Sequence, residues 1–124
     1  MIKVIFKHND NNIIGFKIEG HAVSQEVMDA TIGDAYDMIC NTVSVLSQNV
    51  LIGIQEVLKL RPLYEIENGF LEVNLNNLSE DDIEKCQVLM KTFDFTLKST
   101  VMALNKSLGN KTRSHYIRIL KEEV

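Results

Sequence analysis

The chain opens on Ile2, Val4, Ile5 and Phe6, a β-forming cluster that predicts a strand over residues 2–7. His8-Asn9-Asp10-Asn11-Asn12 reads as a turn, because Asn and Asp tolerate left-handed backbone and bond their own main chain. Ile-Ile-Gly-Phe-Lys-Ile-Glu at 13–19 predicts a second strand, so 2–19 forms a hairpin that ends at Gly20-His21. Residues 22–36 keep no regular period and read as a long loop, a kind of segment that often carries function. From Asp37 onward the pattern changes. Ile39, Val43, Leu46, Val50, Ile54 and Val57 recur at spacings of four, three, four, four and three, one face of a helix that runs to about Leu60 and stops before Pro62.

Leu63–Glu67 and Phe70–Leu75 flank Asn68-Gly69, a hairpin pattern whose turn residues suit type I′. Ser79 is a natural N-cap, with Asp82 three residues later. Apolar positions 83, 86, 90, 93, 97, 101 and 104 then hold the helical period, and Gly109 marks the exit. His115–Leu120 predicts the last strand. The order is β-β-α-β-β-α-β. Two long amphipathic helices need a sheet face to cover, which predicts an α/β (α+β) two-layer sandwich with a mainly antiparallel sheet. The length of 124 residues fits a single domain over 1–124.

Composition narrows the function. The apolar share of 45% and the charged share of 24% are those of an ordinary globular chain. Thirteen basic against seventeen acidic residues, net −4, argue against direct nucleic-acid binding, which needs a basic face. The least charged stretch, Met38–Gln55, carries Asn41, Thr42, Ser44, Ser47, Gln48 and Asn49 and is too polar to span a membrane. The N-terminal residues lack the apolar core of an export signal, so reduced thiols at Cys40 and Cys86 and a cytoplasmic location are expected. Charge is also uneven. Residues 18–58 contain no Lys or Arg and six acids: Glu19, Glu26, Asp29, Asp34, Asp37 and Glu56. The remainder carries 13 basic and 11 acidic side chains. A surface of one sign concentrates ligands of the other, here a basic peptide; a solvated acidic face without a partner has the same signature.

Cys40 is the residue with the most chemistry to offer. If Asp37 caps the helix, Cys40 falls in its first turn, where unpaired N–H groups and the helix dipole favour a thiolate. The carboxylate of Asp37 opposes that ionisation, and an imidazole would favour it. His21, at the end of the second strand, is the available one. Cys40 stands one position off the apolar stripe, on a face with Ser44, Ser47 and Leu51; Cys86 lies on the stripe of the second helix and reads as a small core residue. His8 and His115 read as surface or sheet-edge residues. No zinc spacing, phosphate loop or serine elbow is present, so no metal and no cofactor are expected.

Gly20-His21-Ala22, followed by Asp37-Met38-Ile39-Cys40-Asn41-Thr42-Val43-Ser44-Val45-Leu46, resembles the ribosomal-processing cysteine protease family, Prp. Element order, Asn-Gly hairpin and chain length are similar to that family's small homodimeric fold. The resemblance implies a cysteine endopeptidase that removes the N-terminal extension of a bacterial large-subunit ribosomal protein. By position, Cys40 would be the nucleophile, His21 the general base, Gly20 a hinge beside it, and Asp37 and Ser44 supporting or substrate-binding residues. Two features differ. His21 and Cys40 are 19 positions apart, more than in the family, and the family's Gly-x-Asp before the cysteine is altered to Gly33-Asp34-Ala35-Tyr36-Asp37. A non-catalytic ribosome-assembly factor that holds the same basic peptide is the alternative reading.

Overall fold

The structure, a computed structural model, describes residues 2–20, 30–108 and 117–124, with the side chains at 30–38, 104, 105, 107 and 108 outside the description. Its strands are β1 (Ile2–Asn9), β2 (Asn12–Glu19), β3 (Leu63–Glu67), β4 (Phe70–Asn74) and β5 (Ile117–Glu123). Its helices are α1 (Ala30–Ile52), continued by a π-helical turn over Gly53–Val57, and α2 (Glu80–Leu108). The strands form one five-stranded sheet in the order β3-β4-β2-β1-β5. All neighbours are antiparallel except β1 and β5, which run parallel. No described helix is long and apolar enough to cross a membrane.

Alternation along the strands decides what the sheet buries. Val4, Phe6, Phe16, Ile18, Leu71 and Val73 share one face and are buried. The helices cover that face with Ile39, Val43, Val50 and Ile54 from the first helical segment and Cys86, Met90, Phe93, Leu97 and Val101 from α2. Phe6, Phe16 and Phe93 pack as a tilted aromatic cluster at its centre, with centroids 5.0 to 6.4 Å apart. The opposite face carries Lys3–Glu19 and Lys7–Glu72 ion pairs at 3.9 and 3.3 Å. This is the predicted two-layer sandwich.

Three local expectations change. First, α1 begins at Ala30 rather than Asp37, so residues 30–36 belong to the helix and not to a loop. The stripe continues upstream through Tyr36 and Ile32 with the same four-three-four spacing. Gly33, at a cost of about 1 kcal/mol relative to Ala, hides the continuation without stopping it. Second, in the β3–β4 turn only Gly69 takes positive φ, 76°, which is the φ pattern of a type II turn rather than type I′. Third, helix and Pro62 are separated by a left-handed residue, Lys59 at φ 59°, which closes the helix after the π-helical turn. Ser79 does cap α2: the Asp82 N–H donates to Ser79 Oγ at 3.2 Å, and Glu80, Asp81 and Asp82 place negative charge at the positive end of the helix.

One buried polar residue has a specific use. Ile13 lies beyond the last β2–β4 pair, Gly15↔Asn74, next to the β1–β2 bulge. Gln87 of α2 serves its main chain. The Ile13 N–H donates to Gln87 Oε1 at 2.8 Å, and Gln87 Nε2 donates to the carbonyls of Ile13 and Ile83 at 3.0 Å. Gln87→Met keeps the volume and orphans both Ile13 groups. At about 1–3 kcal/mol for each buried unsatisfied group, the variant is expected to lose about 2–6 kcal/mol in urea unfolding; a loss below about 1 kcal/mol would contradict the role.

Candidate active site

The site is built where one end of the sheet meets α1. Gly20 closes β2 at φ 84° and donates its N–H to the carbonyl of Gly69 at 3.1 Å. That bond extends the β2–β4 ladder past Glu19↔Phe70 and ties the end of β2 to the Asn68-Gly69 turn. Opposite this edge, α1 presents Cys40, Ser44 and Gln48 at intervals of four, one face of three successive turns. Between them is an open cavity of about 300 Å³. Cys40, Asn41, Val43, Ser44, Ser47 and Gln48 line its helix side; Ile2, Ile18, Gly20 and the hairpin tip from Ile66 to Leu71 line its sheet side.

Cys40 is half-buried, with one flank on the core and the other on the cavity. Cys86 is fully buried on α2, where burial first and the charge of Asp82 second push its thiol above the ordinary cysteine range. The two thiols are therefore expected to separate cleanly on labelling. Iodoacetamide should add one carboxamidomethyl group to the native protein, at Cys40, and a second only in denaturant; modification of Cys86 under native conditions would contradict this arrangement.

Ser44 and Ser47 both reach the cavity, whereas Leu51, grouped with them on the sequence, packs into the core. The Ser47 hydroxyl donates to the Ser44 carbonyl at 2.9 Å, and Gln48 Nε2 donates to Ser44 Oγ at 2.9 Å. That bond fixes the Ser44 oxygen and leaves its hydroxyl proton to donate into the cavity. Glu67 is the one carboxylate among the described lining residues, and no Lys or Arg is among them.

The early start of α1 removes one expectation. Cys40 is the eleventh residue of the helix, not in its first turn, and its N–H belongs to the helical ladder. Helix-start N–H groups therefore do not act on this thiol, and Asp37 does not cap the helix. Asp37 is the eighth residue of α1, and its side chain lies outside the described residues. His21 and residues 22–29 of the expected loop also lie outside them, as does His115. His8 belongs to β1, away from the cavity, and burial pushes its imidazole below the ordinary 6.5. Among the described residues no group of three His, Cys, Asp or Glu is placed to hold a metal ion. Asn41, Gln48 and the Asn68-Gly69 turn are site residues that the sequence reading did not single out. For Gln48 the signal was its spacing of four from Ser44.

Residues 1–108 match the family described as cysteine protease Prp. The chain belongs to that family. Family membership makes it a cysteine protease and singles out a cavity-lining thiol as the group to explain. The fold agrees. SMU.848 from Streptococcus mutans superposes with a TM-score of 0.72 at 16% identity, covering 100% of this chain and 99% of that one. The essential ribosomal processing protease Prp from S. aureus, solved with a substrate peptide, gives a TM-score of 0.73 at 17% identity, covering 98% and 100%. The same S. aureus protease with a covalently linked product peptide gives 0.68 at 17% identity. A search of curated proteins finds no match.

Proposed function

We propose that this chain is a ribosomal-processing peptidase that removes the N-terminal extension of a bacterial large-subunit ribosomal protein, with Cys40 as nucleophile and His21 as general base. The observation that carries the proposal is the position of Cys40: in a chain of this family, it is the thiol that lines an open, peptide-sized cavity, while Cys86 is sealed in the core. The Glu67 carboxylate on the wall, the lack of a cation among the described lining residues and the acidic interval 18–58 favour a basic peptide.

The chemistry follows from the residue types. His21 takes the proton from Cys40 Sγ, and the thiolate attacks the scissile carbonyl carbon. The oxyanion needs donors outside the helical ladder. The carboxamide of Asn41, exposed beside Cys40 and lining the cavity, and the Ser44 hydroxyl are the side-chain donors there. The tetrahedral intermediate collapses to an acyl-enzyme as His21 passes the proton to the leaving amine. Water, deprotonated by His21, then attacks the thioester and frees Cys40. Gly20 flanks the histidine at positive φ, and Asp37 supports the site from α1. No cofactor enters the cycle.

Three further parts of the reading go with it: one domain over 1–124, a cytoplasmic location and a homodimer. Val88, Phe95 and Met102 recur every seventh residue and are 75%, 68% and 62% exposed. Such a stripe on α2 is self-complementary when a second copy's α2 runs antiparallel to it. The proposal is tested by incubating the protein with a large-subunit ribosomal protein that carries its N-terminal extension and reading masses. A product shortened by the extension is expected. An intact partner that nevertheless binds would replace the protease with the assembly factor.

A further inference from the structure

We propose that the outer edge of β3, where the described sheet ends, is the docking strand for the peptide to be cut, which adds to the sheet as a further strand and so leads its scissile bond to Cys40. This rests on the peptidase reading above and goes beyond it in saying which backbone groups hold the substrate.

The hydrogen-bond parity of the sheet selects those groups. In an antiparallel ladder, successive residues aim their main-chain groups at opposite sides. The Leu75 N–H donates to the Ile14 carbonyl, and the Gly69 carbonyl accepts from the Gly20 N–H. Odd-numbered residues here therefore turn toward β2, and Phe70, Glu72 and Asn74 turn toward β3. Their partners in β3 are Glu67, Glu65 and Leu63. That leaves Tyr64 and Ile66 with N–H and C=O aimed at the outer edge, where the described sheet ends.

This edge is built unlike the other one. β5 carries Arg118, Lys121, Glu122 and Glu123, mixed charges that discourage strand addition. β3 has no Lys, Arg, Pro or bulge within it, and all five of its residues are exposed, Leu63, Tyr64 and Ile66 by more than half. Such an edge is a template for an extended chain. It is also continuous with the site. Ile66 and Glu67, the last residues of β3, form part of the cavity wall that faces Cys40. A peptide paired with Tyr64 and Ile66 runs directly into that cavity.

Charge selects the occupant. Glu65 and Glu67 are the only ionisable groups of β3 besides Tyr64, and both are exposed. A second copy adding antiparallel through its own β3, with Tyr64 opposite Ile66, would set Glu65 against Glu65, a destabilising like-charge pair. A basic peptide meets the same carboxylates favourably.

The test uses the full chain with Cys40→Ala and a synthetic basic peptide spanning the N-terminal extension of the ribosomal substrate. In the free protein the Tyr64 and Ile66 amides should exchange rapidly with solvent. On peptide addition both should become protected at least tenfold, while Glu65 and Glu67, already bonded to β4, change little. Tyr64→Pro removes one outward N–H without breaking a β3–β4 bond. It should weaken peptide binding about tenfold relative to Tyr64→Ala, the loss expected for one hydrogen bond. Binding that leaves the Tyr64 and Ile66 exchange unchanged overturns the docking strand alone. Protection of these amides without peptide, rising with protein concentration, gives the edge to a second copy and overturns it as well. No binding of the peptide overturns the processing reading together with this one.

Discussion

Cys40→Ala is expected to lower kcat/KM for the extended ribosomal protein by about 10⁴-fold or more, while the affinity for the same protein changes less than about threefold. The two readouts separate because they probe different things. The nucleophile is used only when the acyl bond forms, so its removal takes away a path and not a contact. The rest of the cavity, from Asn41 to Gln48 and from Ile66 to Leu71, is untouched by deleting one sulfur. Cys40 is half-buried with one flank on the cavity, so the variant leaves little void in the core and should fold normally. Cys86→Ala is the internal comparison. It removes a sealed core thiol and should cost stability with kcat unchanged. Cleavage by Cys40→Ala at the wild-type rate would remove the thiol from the mechanism. A variant that neither cuts nor binds would mean that Cys40 holds the substrate rather than reacting with it.

Phe16→Ala should have the largest effect on stability. Phe16 is fully buried at the middle of the central strand β2, opposite Phe6 on β1 and Val73 on β4. Its ring meets Phe93 edge-on, with centroids 5.0 Å apart, and so links the sheet to α2. Truncation removes the aromatic contacts from both layers and leaves a cavity that neither a sheet nor a long helix can close. The expected loss is about 3–5 kcal/mol, a large part of the ~5–15 kcal/mol that holds a domain of this kind together. In urea the midpoint should fall while the slope is unchanged, because the surface exposed on unfolding is nearly the same. A loss under about 1 kcal/mol would mean that the layers repack around the gap. Partial loss also reaches the site, since β2 ends at Gly20, whose N–H fixes the hairpin tip on the cavity wall.

Much of this architecture is written in the spacing of apolar residues. β1, β2, β3, β4 and α2 lie where alternation or the helical period puts them, and Ser79 caps α2 as its type and place require. Features that depend on partners distant in the chain are not written there. The start of α1 is hidden in the sequence because Gly33 and the acids around it read as loop, although the stripe continues through Tyr36 and Ile32. That one boundary carried a chemical consequence: it moved Cys40 from a helix terminus to the third turn, away from the helix-start amides expected to favour its thiolate. Gln87 looks like a flaw beside an apolar stripe until Ile13 is seen to lie beyond the last β2–β4 pair, with no β4 residue opposite it. The strand order is likewise invisible locally. That β3 forms an edge, and that its last residues wall the cavity, follows from how β4 pairs with β2.

For the candidate site, the offset of Cys40 from the stripe by one position was the legible part. A residue at the border of an apolar face is half-buried, which is what a nucleophile at a cavity wall requires. Ser44 was legible for the same reason, one turn further on. Asn41 and Gln48 were not, since exposed amides on a helix are ordinary until the opposite wall of the cavity is in place.

The most direct test of the account is the pH dependence of Cys40 alkylation by iodoacetamide, followed by peptide mapping in the wild type and in His21→Ala. Activation by the imidazole predicts a reaction midpoint well below the ~8.5 of an ordinary cysteine in the wild type, shifting back toward that value in His21→Ala. The same midpoint in both proteins would show that His21 does not act on Cys40, and would contradict the catalytic pair.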